Sequence, residues 1–192
     1  MIRVAVLGDI GSGKSHVAKL FGCPVFDADN EVTKLYKKSK KCYNELKKKL
    51  PKYIFSFPVE KSELYNAIVA NRHNLKKIIK IVHPEVRSSM NSFIKKNKDK
   101  KLVVLDIPLL MENKINKKND ILVFVDAKKK EINKRLKKRH NFNLEVAKKL
   151  KELQLSVEVK KKNADYVIKN NFSNNFVKKS VKEILKKILF NA

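Results

Sequence analysis

The apolar positions of this 192-residue chain follow two rhythms. Residues 2–7, 25–26, 101–107, 121–126 and 166–168 are short runs of Val, Ile, Leu and Phe with little polar alternation. Such runs read as strands covered on both faces, the habit of a parallel sheet. Elsewhere the spacing changes to three and four. Val17, Leu20 and Phe21 make one helical stripe; Leu75, Ile78, Ile79 and Val82 make another. Val86, Met90, Phe93 and Ile94 make a third, which Pro84 opens as a first-turn proline. Ile132, Arg135, Leu136 and Arg139 lie along a later helix, residues 144–153 and 154–163 read as helical, and Val177, Val181, Ile184, Leu185 and Ile188 stripe a closing helix. Strand, helix, strand at the start predicts a βαβ unit, hence an α/β domain on a parallel sheet.

One stretch departs from that alternation. No strand rhythm occurs from about residue 34 to residue 97. Residues 30–38 and 41–50 read as helices, and 62–69 as a helix with Ser62 as its N-cap. Residues 34–99 therefore form a helical insertion between the second and third strands, too long for a simple crossover.

The first strand runs into Gly8-Asp9-Ile10-Gly11-Ser12-Gly13-Lys14-Ser15, which fits the phosphate-loop pattern G-x-x-x-x-G-K-[ST] in its required setting, after a strand and before a helix. Glycines at Gly8, Gly11 and Gly13 let backbone N–H groups come close to phosphate oxygens. The helix after the loop turns its positive end to the same anion. Lys14 reaches the β- and γ-phosphates of a nucleotide, and the Ser15 hydroxyl suits Mg²⁺. The chain has only 4 glycines, and all but Gly22 sit in this loop. Average usage would give roughly a dozen. A chain that uses so little glycine elsewhere needs it here.

Composition changes the picture in two ways. The net charge of +27 suits either a nucleic-acid surface or a drift toward Lys. Drift fits better: only Arg3, Arg72, Arg87, Arg135 and Arg139 are arginine, and the lysines are spread from Lys34 to Lys187. No obligatory nucleic acid is expected, although the field favours a polyanion such as ATP. The two cysteines, Cys23 and Cys42, have no metal or redox spacing. No run approaches the ~20 apolar residues of a membrane span. The first strand leaves no room for a signal peptide, so a cytoplasmic protein is expected.

Further candidates lie where strands end. Asp27 and Asp29 follow the second strand, and Asp106 closes the third; ligands of open α/β sheets bind at that edge. Asp27 or Asp29 could equally cap the next helix. Asp106 suits a position near Mg²⁺. His83, before Pro84, reads as a packed histidine or a ligand contact. Arg135 and Arg139, four apart, read as a phosphate clamp or a solvated face.

Several blocks in order resemble the dephospho-CoA kinase family across nearly the whole length. They are Gly8 to Ser15; Val25-Phe26-Asp27-Ala28-Asp29; His83-Pro84; Leu105-Asp106-Ile107-Pro108-Leu109-Leu110-Met111-Glu112; Arg135 with Arg139; and Gln154 leading to Ala164-Asp165-Tyr166-Val167-Ile168-Lys169-Asn170. The resemblance implies a P-loop NTPase-type three-layer fold with a five-stranded parallel sheet, a helical substrate-binding insertion and a small lid. On that pattern residues 1–33, 100–134 and 164–192 are the nucleotide-binding core, 34–99 bind the CoA acceptor, and 135–163 are the lid and following helices. It implies ATP and Mg²⁺, and transfer of the γ-phosphate to the ribose 3′-hydroxyl of dephospho-CoA. Gly8, Gly11, Ser12, Gly13, Lys14, Ser15 and His16 would hold the ATP phosphates. Asp29 would be the base, with Asp27 the alternative. His83, Pro108 and Leu109 would lie on the acceptor, and Lys14, Arg135 and Arg139 would serve the transfer. Ser15 and Asp106 would hold the metal. A monomer or weak homo-oligomer without a membrane is expected. The chain departs from the family's habit at His16, where Thr is common, at Lys61, where Arg often begins a helix, and at His140-Asn141, where the lid turn usually has Gly.

Overall fold

The computed structural model describes residues 1–138 and 142–191. In the first of two compact units, Met1–Asp27, Lys96–Phe142 and Leu153–Ala192, five parallel strands form one sheet. They are β1 (Ile2–Gly8), β2 (Val25–Asp27), β3 (Leu102–Asp106), β4 (Ile121–Ala127) and β5 (Tyr166–Asn170), in the order β2-β3-β1-β4-β5. The central strands β1 and β3 are buried almost throughout, as continuous apolar runs predict. Val4, Val6, Val104, Val123, Val125 and Ile168 pack in one cluster with Val17 and Phe21 of α1 (Lys14–Leu20) and its C-cap, and with Val177, Val181 and Ile188 of the closing helix, Asn174–Phe190.

The chain leaves β1 toward β2 on one side and β4 toward β5 on the other. The crevice at the carboxyl ends of β1 and β4 is therefore the switch point at which such sheets take ligands. Gly8 is in register with Val125 there, so the phosphate-loop motif begins directly over it.

Polar residues fix the opposite, amino edge. Arg3 donates to the Asp120 carboxylate at 2.8 Å, and the same oxygen accepts the Lys117 N–H at 2.9 Å. Asp165 accepts the Leu122 N–H through its carboxylate at 2.7 Å and returns its own N–H to the Leu122 carbonyl at 2.8 Å. That pair of bonds to one residue sets the register of β5 on β4.

The second unit, Ala28–Lys95 with Asn143–Glu152, is helical. It holds α2 (Ala28–Lys38), α3 (Lys40–Lys49), α4 (Lys61–Ala70) and nearly all of α5 (Arg72–Lys96), and takes in the helix Leu144–Lys151. Three local expectations are corrected. Pro84 does not open a helix; it sits inside α5, which runs unbroken for 25 residues. An internal proline removes one backbone bond and crowds the carbonyl four residues back, at about 3 kcal/mol. Here Pro84 and Lys80 both lie on the exposed side of the helix. Leu75, Ile78 and Val82 before the proline, and Met90 after it, are buried and hold the helix together. Ser62 is not the cap of α4. Glu60 is, and Ser62 lies one residue inside, its hydroxyl donating to the Glu60 carboxylate. Finally α2 starts at Ala28, two residues earlier than its pattern predicts, because Asp29 and Glu31 in the first turn suit the positive helix end.

Among the described residues no helix is long and apolar enough to cross a membrane.

Candidate phosphate-transfer site

The loop between β1 and α1 is held by its own chain. The Asp9 carboxylate accepts the Ile10 N–H at 2.8 Å, and the Asp9 carbonyl accepts the Ser12 N–H at 3.1 Å. The Lys14 ammonium donates to that same carbonyl at 2.9 Å. Gly8 and Gly13 have φ of 153° and 94°. A Cβ at Gly8 would stand 2.6 Å from Ser12 Oγ and 2.9 Å from the Val125 carbonyl; one at Gly13 would stand 2.4 Å from Asn170 Nδ2. Both conformation and space thus require glycine there. Gly11 lies against Ile132 and Leu136 of the helix Lys129–Lys137.

Within this loop the Ser12 hydroxyl is buried with no hydrogen-bond partner. A buried polar atom without a partner costs about 1–3 kcal/mol. A polar atom left over in a turn closed to side chains fits a loop made to receive an oxygen-rich anion. Gly13 caps α1 without a side-chain bond, and no acid occupies the first turn, so nothing on that helix competes with an incoming phosphate. Ser15 and His16 are exposed, and the His16 ring meets Asn174 Oδ1 at 3.1 Å.

Beside the loop, Asp27 and Asp106 close β2 and β3 in register. Paired residues on neighbouring strands lie about 4.8 Å apart, so two carboxylates share the carboxyl edge, Asp106 next to the strand that feeds the loop and Asp27 one strand further out. Asp106 is buried and Asp27 half-buried. Asp29 is exposed and lies in the first turn of α2. The structure brings together, in one unit, the loop, Asp27, Asp106, Pro108, Leu109 and Arg135. Asp29 and His83 belong to the other unit. His83 lies in mid-helix in α5, half-buried; burial and then the nearby Arg87 push its pKa down from 6.5. Arg139 lies outside the described residues, as do His140 and Asn141 of the expected lid turn.

The turn after β3 is anchored in a way its sequence does not announce. Asn113 Nδ2 donates to the Leu109 carbonyl at 2.8 Å. Glu112 Oε1 accepts Lys160 Nζ at 2.8 Å and the Leu155 N–H at 2.9 Å. The Lys160 side chain is 3% exposed and that of Glu112 9%, so this is a buried pair rather than a surface one. It fixes Pro108 and Leu109 to the segment leading into the helix Val157–Lys162. Arg135 lies over the Phe172 ring, 4.5 Å from its centroid.

A central parallel strand that empties into a glycine-walled phosphate loop, with carboxylates closing β3 beside it and β2 beyond, and a strand order of 2-3-1-4-5, defines a P-loop kinase. The dephospho-CoA kinase family profile matches residues 2–175. The chain belongs to the dephospho-CoA kinase family, whose enzymes are ATP-dependent transferases with an alcohol acceptor. The dephospho-CoA kinase of Wolbachia pipientis wMel is 36% identical over 175 residues, covering 88% of this chain and 89% of that one. That of Bartonella henselae is 34% identical over 170 residues, covering 86% of this chain and 87% of that one. Among solved structures, a Thermus thermophilus protein superposes with a TM-score of 0.77 at 28% identity over 97% of both chains. The Campylobacter jejuni dephospho-CoA kinase superposes at 0.61 with 22% identity over 98% of both, a likeness of fold.

Proposed function

We propose that this chain transfers the γ-phosphate of ATP to the ribose 3′-hydroxyl of 3′-dephospho-CoA, giving CoA and ADP, and that the residues divide the work as follows. The observation that carries the division is the in-register pair Asp27 and Asp106, of which Asp106 closes the strand next to the one that enters the phosphate loop. Gly8, Gly11, Ser12, Gly13, Lys14, Ser15 and His16 bind the ATP phosphates through loop amides, the lysine and the helix end. Asp29 accepts the proton of the 3′-hydroxyl as the new O–P bond forms, with Asp27 as the alternative base. Because the transition state of phosphoryl transfer is loose, aiming the oxygen matters more than basicity. Lys14, Arg135 and Arg139 spread the charge that builds on the transferred group. His83, Pro108 and Leu109 contact the acceptor.

Mg²⁺ fits the residues present. Ser15 and Asp106 offer one hydroxyl and one carboxylate, hard oxygen donors of the kind Mg²⁺ takes alongside phosphates and water. No group of three or more His, Cys, Asp or Glu side chains suited to a metal occurs among the described residues, so the ion would be shared with the nucleotide. When bound, it neutralises phosphate charge. Residues 34–99 serve as the acceptor-binding part and 135–163 as the lid region. Cys23 and Cys42 are free thiols, which suits a reducing, cytoplasmic setting. The chain acts without nucleic acid, as a monomer or weak homo-oligomer.

The test is transfer of label from γ-labelled ATP with Mg²⁺, offering dephospho-CoA beside AMP, adenosine, gluconate and shikimate. Label in CoA alone is the expected result. Label in another acceptor, with none in CoA, would overturn the substrate assignment and leave the phosphate loop standing.

A further inference from the structure

Asn170 is the last residue of β5, 158 positions beyond Ser12 of the phosphate loop, and it is 4% exposed. Its Nδ2 donates to the Ser12 carbonyl at 2.7 Å, and its Oδ1 accepts the Phe172 N–H at 2.8 Å. The orientation of the carboxamide is fixed by its partners: a carbonyl needs a donor and an N–H needs an acceptor, so the flipped amide would face both wrongly. Both ends of one buried side chain are therefore committed, one to the loop and one to the turn after β5.

The consequence follows from peptide geometry. In a trans peptide the C=O and the next N–H point in opposite directions. With the Ser12 carbonyl held on Asn170, the Gly13 N–H is aimed to the other side of the loop. Gly13 is shaped to the same neighbour, since a Cβ there would lie 2.4 Å from Asn170 Nδ2. The second end of the amide holds Phe172 with φ of 63°, an uncommon value for a residue with a Cβ. The Phe172 ring lies 4.5 Å from the Arg135 guanidinium and within 3.7 Å of the Cβ position of Gly13.

We propose that Asn170 is a positioning residue for phosphate binding: its carboxamide sets the direction of the Gly13 N–H toward the anion and, through Phe172, the seat of Arg135. This rests on the reading of residues 8–15 as the nucleotide-phosphate loop. Asn170 itself touches no substrate. It acts through a peptide plane that would otherwise be free to rotate, since glycine on one side of it places little restraint on the turn.

The test compares the full chain with Asn170→Ala and Asn171→Ala, using calorimetric ADP binding and amide proton–nitrogen spectra. Asn171 serves as control because it also braces this turn, accepting the Ser173 N–H at 3.0 Å, but has no bond to the loop. Wild type is expected to bind ADP with a large displacement of the Gly13 amide signal. Asn170→Ala should weaken ADP binding about tenfold or more and shrink that displacement, while Asn171→Ala keeps both. Asn170→Ala with wild-type affinity and Gly13 displacement would overturn the proposal. Should that variant not fold, the wild-type spectrum decides. Asn170 side-chain NH₂ signals that exchange slowly and move with ADP support the proposal; signals that exchange freely and ignore ADP refute it. Wild type that does not bind ADP would remove the phosphate-loop reading itself, which is a different failure.

Discussion

The two edges of the sheet use buried polar groups in opposite ways. At the amino edge the chain answers itself. Arg3 meets Asp120, Asp120 also takes the Lys117 N–H, and Asp165 brackets Leu122 from both sides. At the carboxyl edge the Ser12 hydroxyl is buried without a partner, two glycines hold conformations closed to other residues, and two carboxylates stand in register. The first arrangement pairs its polar groups within the chain and contributes stability. The second gives up stability for a shape that, on the proposed function, a phosphate completes. Even the amino edge is imperfect, since Arg3 Nε has no partner. Such an edge tolerates one leftover donor, whereas the loop is built around its own.

The difference can be tested by breaking each edge separately. The largest effect is expected from Lys14→Ala, which should lower turnover by about three orders of magnitude or more with little change in the melting temperature. A variant turning over at the wild-type rate would remove the loop from catalysis. Next comes Asp120→Ala at the amino edge. It leaves the Arg3 charge buried and unpaired, a loss of about 3–5 kcal/mol in urea unfolding, while kcat of the folded fraction stays at the wild-type value. A drop in kcat there would show that the two edges are not independent.

Asp27→Asn and Asp29→Asn sharpen the picture within the carboxyl side. Asp29→Asn should lower turnover by about a hundredfold with ADP affinity unchanged. If Asp27→Asn is the crippled variant instead, the base belongs to the sheet edge and not to the helix.

The smallest effect belongs to neither edge. His83 has its pKa pushed below 6.5 by burial and by Arg87. The unfolded chain therefore binds a proton at a higher pH than the folded one. Stability from this group is complete above about pH 6.5 and declines as pH falls through the folded-state value. His83→Asn should flatten that slope in urea midpoints taken between about pH 7 and pH 5. An unchanged slope would assign it to other groups.

The parts of this molecule that were legible in the sequence are those fixed by neighbours in the chain. The apolar runs located all five strands, and three of four glycines marked the loop, because a buried strand and a phosphate turn each impose a local residue type. The continuation of α5 through Pro84 was misread, although the three-four spacing of Leu75, Ile78 and Val82 carries on through Val86, Met90 and Phe93. A proline's missing N–H and its ring mark a helix boundary locally, and that local signal outweighed the period that runs through it. Asp29 read as a residue just past a strand end or as a cap because Val25-Phe26 lies so close before it, although Ala28 is a good helix former and opens α2. The Glu112–Lys160 pair and the Asn170–Ser12 bond were invisible for a different reason. Each joins segments far apart in sequence, and nothing near either partner specifies the other. A lysine among so many lysines gives no sign that it is the buried one.

The Asn170–Ser12 bond also has a meaning in time. The loop motif leaves the ribosome long before the side chain that braces it, which belongs to the fifth strand to be made. A nascent chain that has made β1 to β4 already carries the whole motif, yet the Ser12 carbonyl still lacks this partner. Closing so long a span is also slow compared with forming the helices between its ends. The braced form of the nucleotide loop is thus reserved for chains that have reached β5, and a fragment cut short before it lacks that brace whatever the intactness of its glycines.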